Sequence, residues 1–333
     1  MGQAGNEQQE VRQIVLVNAI GNAPQAQLLT PPEETSSSPV LREKVFGLPV
    51  DREILYTDHR NAYQADIEKR QRKWIVKLSF LKPFLLSGER ILRIAPARSP
   101  IRWYEQLCTG GLFLGLEKAF LVFTSYRILH IPTDSGYTYR QCIAQVRYRD
   151  IRSIRLRRGS LIVAYKNGRT ERFGGVAFRE RKKIRQLLPA LPLMKQVLQP
   201  VGRRHLCPRC TTVLSERTMC CRRCELAFKS KRMAGAMALL FPGGAYFYAR
   251  LFYPGVVFFT LEALLLGTIV AVSASLIPSG AEQPFLLGGL VLIWTGIKAA
   301  GWLHVGHFLK QYIPRKSRPG QWSPSLAGQK AFS

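Results

Sequence analysis

Carboxylates are scarce in this chain: 21 Asp and Glu stand against 49 Lys and Arg in 333 residues, a formal net charge of +28. A soluble enzyme rarely carries so much charge of one sign, and the usual reasons are nucleic acid or an anionic membrane surface. Catalytic motifs are also missing. The sequence has no Gly-rich phosphate loop, no Gly-x-Ser-x-Gly and no His-Glu-x-x-His, while Asp58-His59 and His130 stand isolated. It therefore offers no set of residues for phosphoryl transfer, acyl transfer or zinc-assisted hydrolysis, and the chain is read as non-enzymatic. Seven cysteines form no even disulfide framework. Glu7, Glu10 and Arg12 precede only a short apolar run, 14–20, with no clean cleavage site, so no secretory signal is expected. A reducing compartment follows, with the N-terminal half in the cytosol.

The mean hydropathy of −0.04 averages two populations, a charged stretch to about residue 232 and an apolar one over 233–309. Residues 1–50, rich in Gln, Pro, Ser, Asn and Glu, cannot bury enough apolar surface to offset chain entropy and are expected to be disordered. Residues 51–79 read as a linker, with a helix expected over 57–74. From 80 to 176 the pattern turns to strands. Arg90-Ile-Leu-Arg-Ile94 alternates, 119–131 carries a turn at Thr124-Ser125, and 137–148 and 151–156 follow. A hairpin is expected at Ser160-Leu-Ile-Val-Ala-Tyr165, Lys166-Asn-Gly-Arg169 and Thr170-Glu-Arg-Phe173, because Asn-Gly readily takes the positive φ of a tight turn. Residues 177–198 read as a helix with Phe178, Ile184, Leu187 and Leu188 at apolar spacing, kinked or shortened by Pro189 and Pro192.

Ala119-Phe-Leu-Val-Phe-Thr-Ser-Tyr-Arg-Ile-Leu129 resembles the strand–Thr-x-x-Arg–strand element of the bacterial pleckstrin-homology-like (GRAM-like) group. Asp150-Ile-Arg-Ser-Ile154 resembles that group's next strand. The resemblance covers about 100 residues within a domain read as 80–200, and implies a bent β-barrel plugged by a C-terminal helix. Members bind lipids, peptides or nothing known, so it implies no particular ligand.

Cys207-Pro-Arg-Cys210 and Cys221-Arg-Arg-Cys224 are separated by ten residues, 211–220. Each Cys-x-x-Cys turn lets two thiolates reach one ion, and four such ligands suit tetrahedral Zn²⁺. Cys221 is favoured over Cys220 because it keeps the x-x spacing to Cys224, and His205 is a weaker alternative. With Leu206, Leu214 and Phe228, the stretch 203–230 resembles the zinc-ribbon knuckles that precede membrane helices in bacterial proteins, although Glu225 stands where that pattern has a small residue. Four ligands with no open position make the expected Zn²⁺ structural. A thioredoxin-like redox pair would need a βαβ context that is missing.

Two runs, 256–277 and 285–309, are long enough as helices to cross a ~30 Å hydrocarbon core. The loop Pro278-Ser-Gly-Ala-Glu-Gln-Pro284 has no Lys or Arg, whereas Lys229, Lys231, Arg232 and Arg250 precede the runs and Lys310, Arg315, Lys316 and Arg318 follow. The positive-inside rule then puts both termini, including the basic tail 310–333, in the cytosol. Residues 233–250 are apolar but broken by Pro242-Gly-Gly244, and are expected to lie in the interface or to re-enter the membrane. Phe241-Pro-Gly-Gly…Tyr246…Arg250 resembles a small bacterial membrane module with a Pro-Gly-x-Gly…Tyr-x-Gly-Arg signature, with Ala249 in place of its last Gly. Glu262 and Lys298 fall within the runs at similar depth, and a contact between them is the economical expectation for charges in hydrocarbon. His304 and His307 share a face near the cytosolic end, as interfacial polar residues.

Over 140–204 there are 18 Lys or Arg against 3 Asp or Glu. Arg152, Arg155, Arg157 and Arg158 cluster on one strand and its turn; Arg179, Arg181, Lys182, Lys183 and Arg185 lie on the helix that follows. These nine are the candidate anionic surface. The sequence thus describes a multidomain bacterial inner-membrane protein: a mainly-β domain with a C-terminal helix, a zinc ribbon and an α-helical membrane hairpin. Its expected role is binding or scaffolding, through anionic lipid headgroups or an acidic protein partner. A membrane-tethered nucleic-acid binder is the first alternative, and a small oligomeric transporter or channel component the second.

Overall fold

A computed structural model describes residues 44–100, 117–194, 201–216, 218–279 and 284–315. Nearly all of the expected disordered segment 1–50, and most of the basic tail, lie outside these residues. Strands β1 (Lys44–Val45) and β2 (Leu48–Pro49) form a small antiparallel ribbon. Helices α1 (Arg52–Leu55) and α2 (Ala65–Lys77) follow, then a 3-10 turn at Ser79–Phe84. Strands β3 (Ile91–Arg98), β4 (Lys118–Thr124), β5 (Arg127–Pro132) and β6 (Ile143–Arg147) form an antiparallel meander. A second antiparallel sheet holds β7 (Ile151–Arg157), β8 (Ser160–Tyr165) and β9 (Thr170–Phe173), with Gly168 at φ +81° in the expected hairpin turn. Helix α3 runs over Phe178–Leu187. Pro189 cannot donate the next helical hydrogen bond, and the chain ends that helix in a 3-10 turn, Leu188–Ala190, well short of residue 198.

The meander is buried on both faces. Ala95, Leu121, Phe123, Ile128 and Val146 face the second sheet and α3, where they meet Ile154, Leu161, Val163, Phe173 and Ile184. The alternate residues Ile94, Phe120, Val122, Leu129 and Ile131 face Leu48, Leu55, Ile75, Leu78 and Leu81 of the N-terminal segment. A strand covered on both sides needs apolar residues at every position, which is why β4 reads as a continuous apolar run. Residues 44–85 supply a whole layer of the core, far more than a linker. The two sheets share no hydrogen-bonded strand pair, because the 3-10 turn Tyr148–Asp150 interrupts the ladder between β6 and β7. Among the described residues the barrel expected from the sequence does not close; two sheets pack across a common core instead.

Two buried ion pairs fix this arrangement. The Thr-x-x-Arg element folds Thr124 and Arg127 onto Glu89: the Thr124 hydroxyl donates to Glu89 Oε1 at 2.6 Å, and Arg127 Nη2 lies 2.8 Å from Oε2. The second pair fastens α3. Glu180 is 0% exposed, and its oxygens lie 2.7 Å from Arg93 Nη2 and 3.0 Å from Arg70 Nη2. Arg93 spends its other amine on the carbonyls of Leu55 and Thr57. Replacing one member of such a pair strands the other charge in a low dielectric. Glu180→Gln is therefore expected to destabilise the protein by about 3–5 kcal/mol, measured by denaturant unfolding in detergent; a loss under ~1 kcal/mol, the scale of an exposed pair, would refute the buried linkage.

After α3 come β10 (Arg204–Leu206), α4 (Lys231–Leu240), α5 (Gly244–Tyr248), α6 (Phe252–Ser279) and α7 (Pro284–Leu309). Helices α6 and α7 are long and apolar enough to cross a membrane, over Phe252–Ala274 and Phe285–Leu309, and only 11% of each apolar window is buried within the chain.

Candidate metal centre and helix break

The two Cys-x-x-Cys turns are built alike. Cys207 N–H donates to Thr212 O and Thr211 N–H to Cys207 O; Cys221 N–H donates to Leu226 O and Glu225 N–H to Cys221 O. Each turn forces the residue after its second cysteine to positive φ, +62° at Thr211 and +56° at Glu225. Such a position favours glycine, which explains the small residue of the ribbon pattern and makes Glu225 a strained departure from it. The four sulfurs of Cys207, Cys210, Cys221 and Cys224 converge within 4.8 Å of one another, with Cys207–Cys224 at 3.5 Å and Cys210–Cys221 at 3.4 Å. Four thiolates about 2.3 Å from a central ion would stand ~3.8 Å apart. The cluster can hold a metal ion.

Cys220 is exposed on the neighbouring bridge to Ala227 and takes no part. His205 also lies outside the cluster, its ring against Tyr312 and its pKa driven down to about 3 by burial and then by Arg203. Burial raises the Cys207 thiol. Burial opposes ionisation at Cys210 too, yet hydrogen bonds with Thr212 and the facing thiols bring it down to about 7. Cys142 is elsewhere, buried in the sheet, its thiol pushed up to about 12 by desolvation. Cys108 lies outside the described residues.

This ribbon is wedged between the sheet and the helices. Strand β10 extends the five-stranded sheet by pairing antiparallel with β6, Leu206 opposite Ile143 and Arg204 opposite Gln145. On the far side Phe228 bridges Pro314, with Lys229 N–H donating to Ile313 O and Arg315 N–H to Ala227 O. Tyr312 completes the joint, its hydroxyl donating to Ser215 O at 2.9 Å and its ring edge-on to Phe228. Lys229 is buried here, and that burial, with Arg250 and Arg140 nearby, lowers its pKa to about 8.

The structure brings Glu262 and Lys298 together at a break between helices. Lys298 Nζ lies 2.7 Å from Glu262 Oε2 and donates to the carbonyls of Ala238, at 2.6 Å, and Phe241, at 3.1 Å. Glu262 Oε2 in turn accepts the Gly243 N–H at 3.2 Å. The pair thus satisfies the backbone groups orphaned where α4 stops and α5 starts. Glycine is required there: Gly243 has φ +64°, and a Cβ on it would sit 2.5 Å from Gly255 O. A Cβ on Gly244 would sit 2.0 Å from Met237 O. Pro242 cannot continue α4. Below the break, Tyr246 stacks on Phe258 and its hydroxyl meets His304 Nδ1 at 3.1 Å. Sequence reasoning found the pair but missed its three backbone partners, since Pro-Gly-Gly announces a break without saying what caps it.

Of the nine candidate cations, Arg152, Arg155, Arg157, Arg158, Arg179, Lys182 and Arg185 are exposed and Arg181 is half-buried, donating to Val176 O. Lys183 is a correction. It is 4% exposed and donates to Thr57 Oγ1 and Asn61 Oδ1, so its ammonium ties α3 to the N-terminal layer and is withdrawn from any surface ligand. Phe178, expected on the apolar face of its helix, is 77% exposed. His130 lies beside Ser99, with Nε2 3.0 Å from Oγ, but Arg203 sits 3.1 Å from Nδ1. An arginine only donates, so Nδ1 is the acceptor and Nε2 carries the proton. His130 therefore hydrogen-bonds toward Ser99 and cannot deprotonate it.

Two measurements check these sites. Cys207→Ser and Cys221→Ser are expected to lose the bound metal while Cys220→Ser keeps a full equivalent, by elemental analysis; retention in Cys221→Ser would reassign the ligand. For the helix break, Lys298→Met and Glu262→Gln are expected to couple in a double-mutant cycle by about 1–3 kcal/mol of thermal stability in detergent. Additive losses would mean the two side chains act separately.

No family model matches the chain, and no curated protein sequence matches it. A solved structure, the C-terminal domain of an unknown protein from Leishmania infantum, aligns over 36% of this chain and 94% of its own, at 15% identity and a TM-score of 0.23. A likeness at that level carries no argument about fold or function.

Proposed function

We propose that this chain is a non-enzymatic integral protein of a bacterial inner membrane whose cytosolic β-domain binds anionic lipid headgroups at the membrane surface. The observation that carries the reading is the outer face of the three-stranded sheet. Registered across it are Ser153, Arg155 and Arg157 of β7, Ile162 and Ala164 of β8, and Thr170 and Arg172 of β9. The three arginines are exposed and the face has no carboxylate. Near an anionic leaflet each basic residue contributes about 1 kcal/mol, so three give roughly a hundredfold preference over a neutral one.

The metal is Zn²⁺ in this reading, since four thiolates and a closed tetrahedron suit it and leave no position for substrate. Two packed sheets under a C-terminal helix are a variation on the pleckstrin-homology-like plan. With Lys229, Lys231, Arg232, Arg250, Lys310 and Arg315 flanking the long helices, the positive-inside rule puts β-domain, ribbon and both termini in the cytosol. Helices α4 and α5 form a re-entrant hairpin. Glu262 and Lys298 lie ten and eleven residues from the cytosolic ends of α6 and α7, ~15 Å deep at 1.5 Å per residue, and α4 covers the same depth from Lys231 to Leu240.

The test is native mass spectrometry of the full chain released from nanodiscs of mixed phosphatidylcholine and phosphatidylglycerol, beside anisotropy with RNA and DNA oligomers at ~150 mM salt, where long-range attraction is screened. Phosphatidylglycerol should be retained preferentially, and the preference should fall at least about tenfold in Arg155→Glu/Arg157→Glu/Arg172→Glu. Equal retention of both lipids would overturn the reading. If submicromolar nucleic-acid binding survived that salt, the chain would be a tethered nucleic-acid binder.

A further inference from the structure

The register of the five-stranded sheet fixes which end of the β-domain looks toward the long helices. Arg98 pairs with Lys118, Ala119 with Pro132 and Ile143 with Leu206, so these residues lie at one end. At that end Cys142 Sγ approaches Gln311 Oε1 at 3.9 Å and the Arg140 guanidinium lies 5.1 Å over the Phe308 ring, both partners belonging to the end of α7 and the turn after it. The other edge of the same end carries the start of α3. Arg98 N–H donates to Gly174 O, Ala177 N–H to Pro96 O and Val176 N–H to Gly159 O, which ties the end of β3, the β7–β8 turn and residues 174–178 into one tip.

Phe178 crowns this tip. At 77% exposure it is the most exposed large apolar side chain described outside the apolar region 231–309. Around it stand Arg98, Arg157, Arg158, Arg179 and Lys182, all exposed, and the half-buried Arg181, whose guanidinium lies 5.5 Å over the Phe178 ring. Among the described residues none of the five exposed cations is paired with a carboxylate. The acidic side chains nearby are withdrawn: Glu117 and Glu180 are buried, and Glu171 is held by Arg203 at 3.2 Å. An aromatic ring standing free in a ring of Arg and Lys with no carboxylate among the described residues, level with the end of a long apolar helix, is complementary to an anionic lipid surface.

We propose that Phe178 is a second membrane anchor, inserting at the headgroup–acyl boundary of the anionic leaflet that the chain's own helices cross, while Arg98, Arg157, Arg158, Arg179 and Lys182 hold lipid phosphates. The inference rests on the lipid-binding reading above and adds the residue, the orientation of the domain and docking in cis. Anchored at β10 by the ribbon and at α3 by Phe178, the β-domain lies with one end flat on the membrane.

The experiment uses the full chain in mixed phosphatidylcholine–phosphatidylglycerol nanodiscs, with the photo-crosslinker p-benzoylphenylalanine placed at position 178. Position 172, on the arginine face, and position 167, in the β8–β9 turn at the opposite end, serve as comparisons. Irradiation at 178 is expected to give lipid-mass adducts at least about fivefold above 167, falling about fivefold or more with Arg179→Glu/Lys182→Glu. Lipid adducts at 172 but none at 178 above the level of 167 would overturn the Phe178 anchor and leave the lipid-binding reading standing. Lipid adducts at neither position would overturn both. Adducts at 178 to protein alone would overturn the anchor in favour of a protein contact.

Discussion

A ribbon too small to fold by burial joins the two halves of this protein. The ribbon's apolar content is Cys207, Leu214, Cys221 and Phe228, with a few partly buried neighbours. Clusters of that size do not offset the entropy of ordering some thirty residues, and the positive φ at Thr211 and Glu225 adds strain of roughly 1–3 kcal/mol each. A structural Zn²⁺ supplies about 10–16 kcal/mol in peptides of this kind, enough to dominate both terms. With such an ion bound, the elements on either side would share that dependence. β10 pairs with β6 immediately before Cys207, and Phe228 bridges Pro314 just after Cys224. On the proposed reading, a metal held by the four cysteines would therefore also stiffen the coupling between a basic β-domain and two apolar helices.

Buried ion pairs do a different task in each half, and neither is best described as added stability, since a buried pair often gains little over well-packed apolar residues. Arg93–Glu180–Arg70 joins three elements distant in sequence, β3, α3 and α2, and fixes where the helix lies. Glu89–Arg127 fixes the turn between β4 and β5. Glu262–Lys298 completes hydrogen bonds that a broken helix would otherwise leave open. The leftover donors of the cations find further acceptors: the carbonyls of Leu55 and Thr57 for Arg93, the Phe84 carbonyl and the Gln145 side-chain oxygen for Arg127, and the carbonyls of Ala238 and Phe241 for Lys298.

What could be read in the residues follows from how local its cause is. Cys-x-x-Cys spacing, the Asn167-Gly168 turn and the two long apolar runs each encode a constraint within a few residues or one helix, and the structure places them where the pattern says. Pairings between distant short segments leave no such mark. Three residues of β10 against three of β6, or Phe228 against Pro314, carry no periodicity, so the ribbon read as a separate bead when it is an edge of the sheet. Lys183 read as surface because charged side chains seldom bury, and only a partner identified in space reverses that expectation. Phe178 failed in the opposite direction: its spacing fits the apolar face of α3, but as the first helical residue it lies beyond the layer that Ile184 and Leu187 pack against.

The helix break beside Glu262 and Lys298 has the look of a transport site, since discontinuous helices around midplane charges bind ions in transporters. The coordination argues for a brace. An ammonium has three donors, and those of Lys298 meet three acceptors within 3.1 Å: Ala238 O, Phe241 O and Glu262 Oε2. The same carboxylate oxygen also receives Gly243 N–H. An ion entering here would have to displace contacts that hold α4 against α7 and α5 against α6, so binding would cost the hairpin its fold. A transport site keeps ligands uncommitted until substrate arrives; here the backbone has already taken them. That saturation favours a fixed helix break, in which the ion pair braces α4 against α7 and α5 against α6.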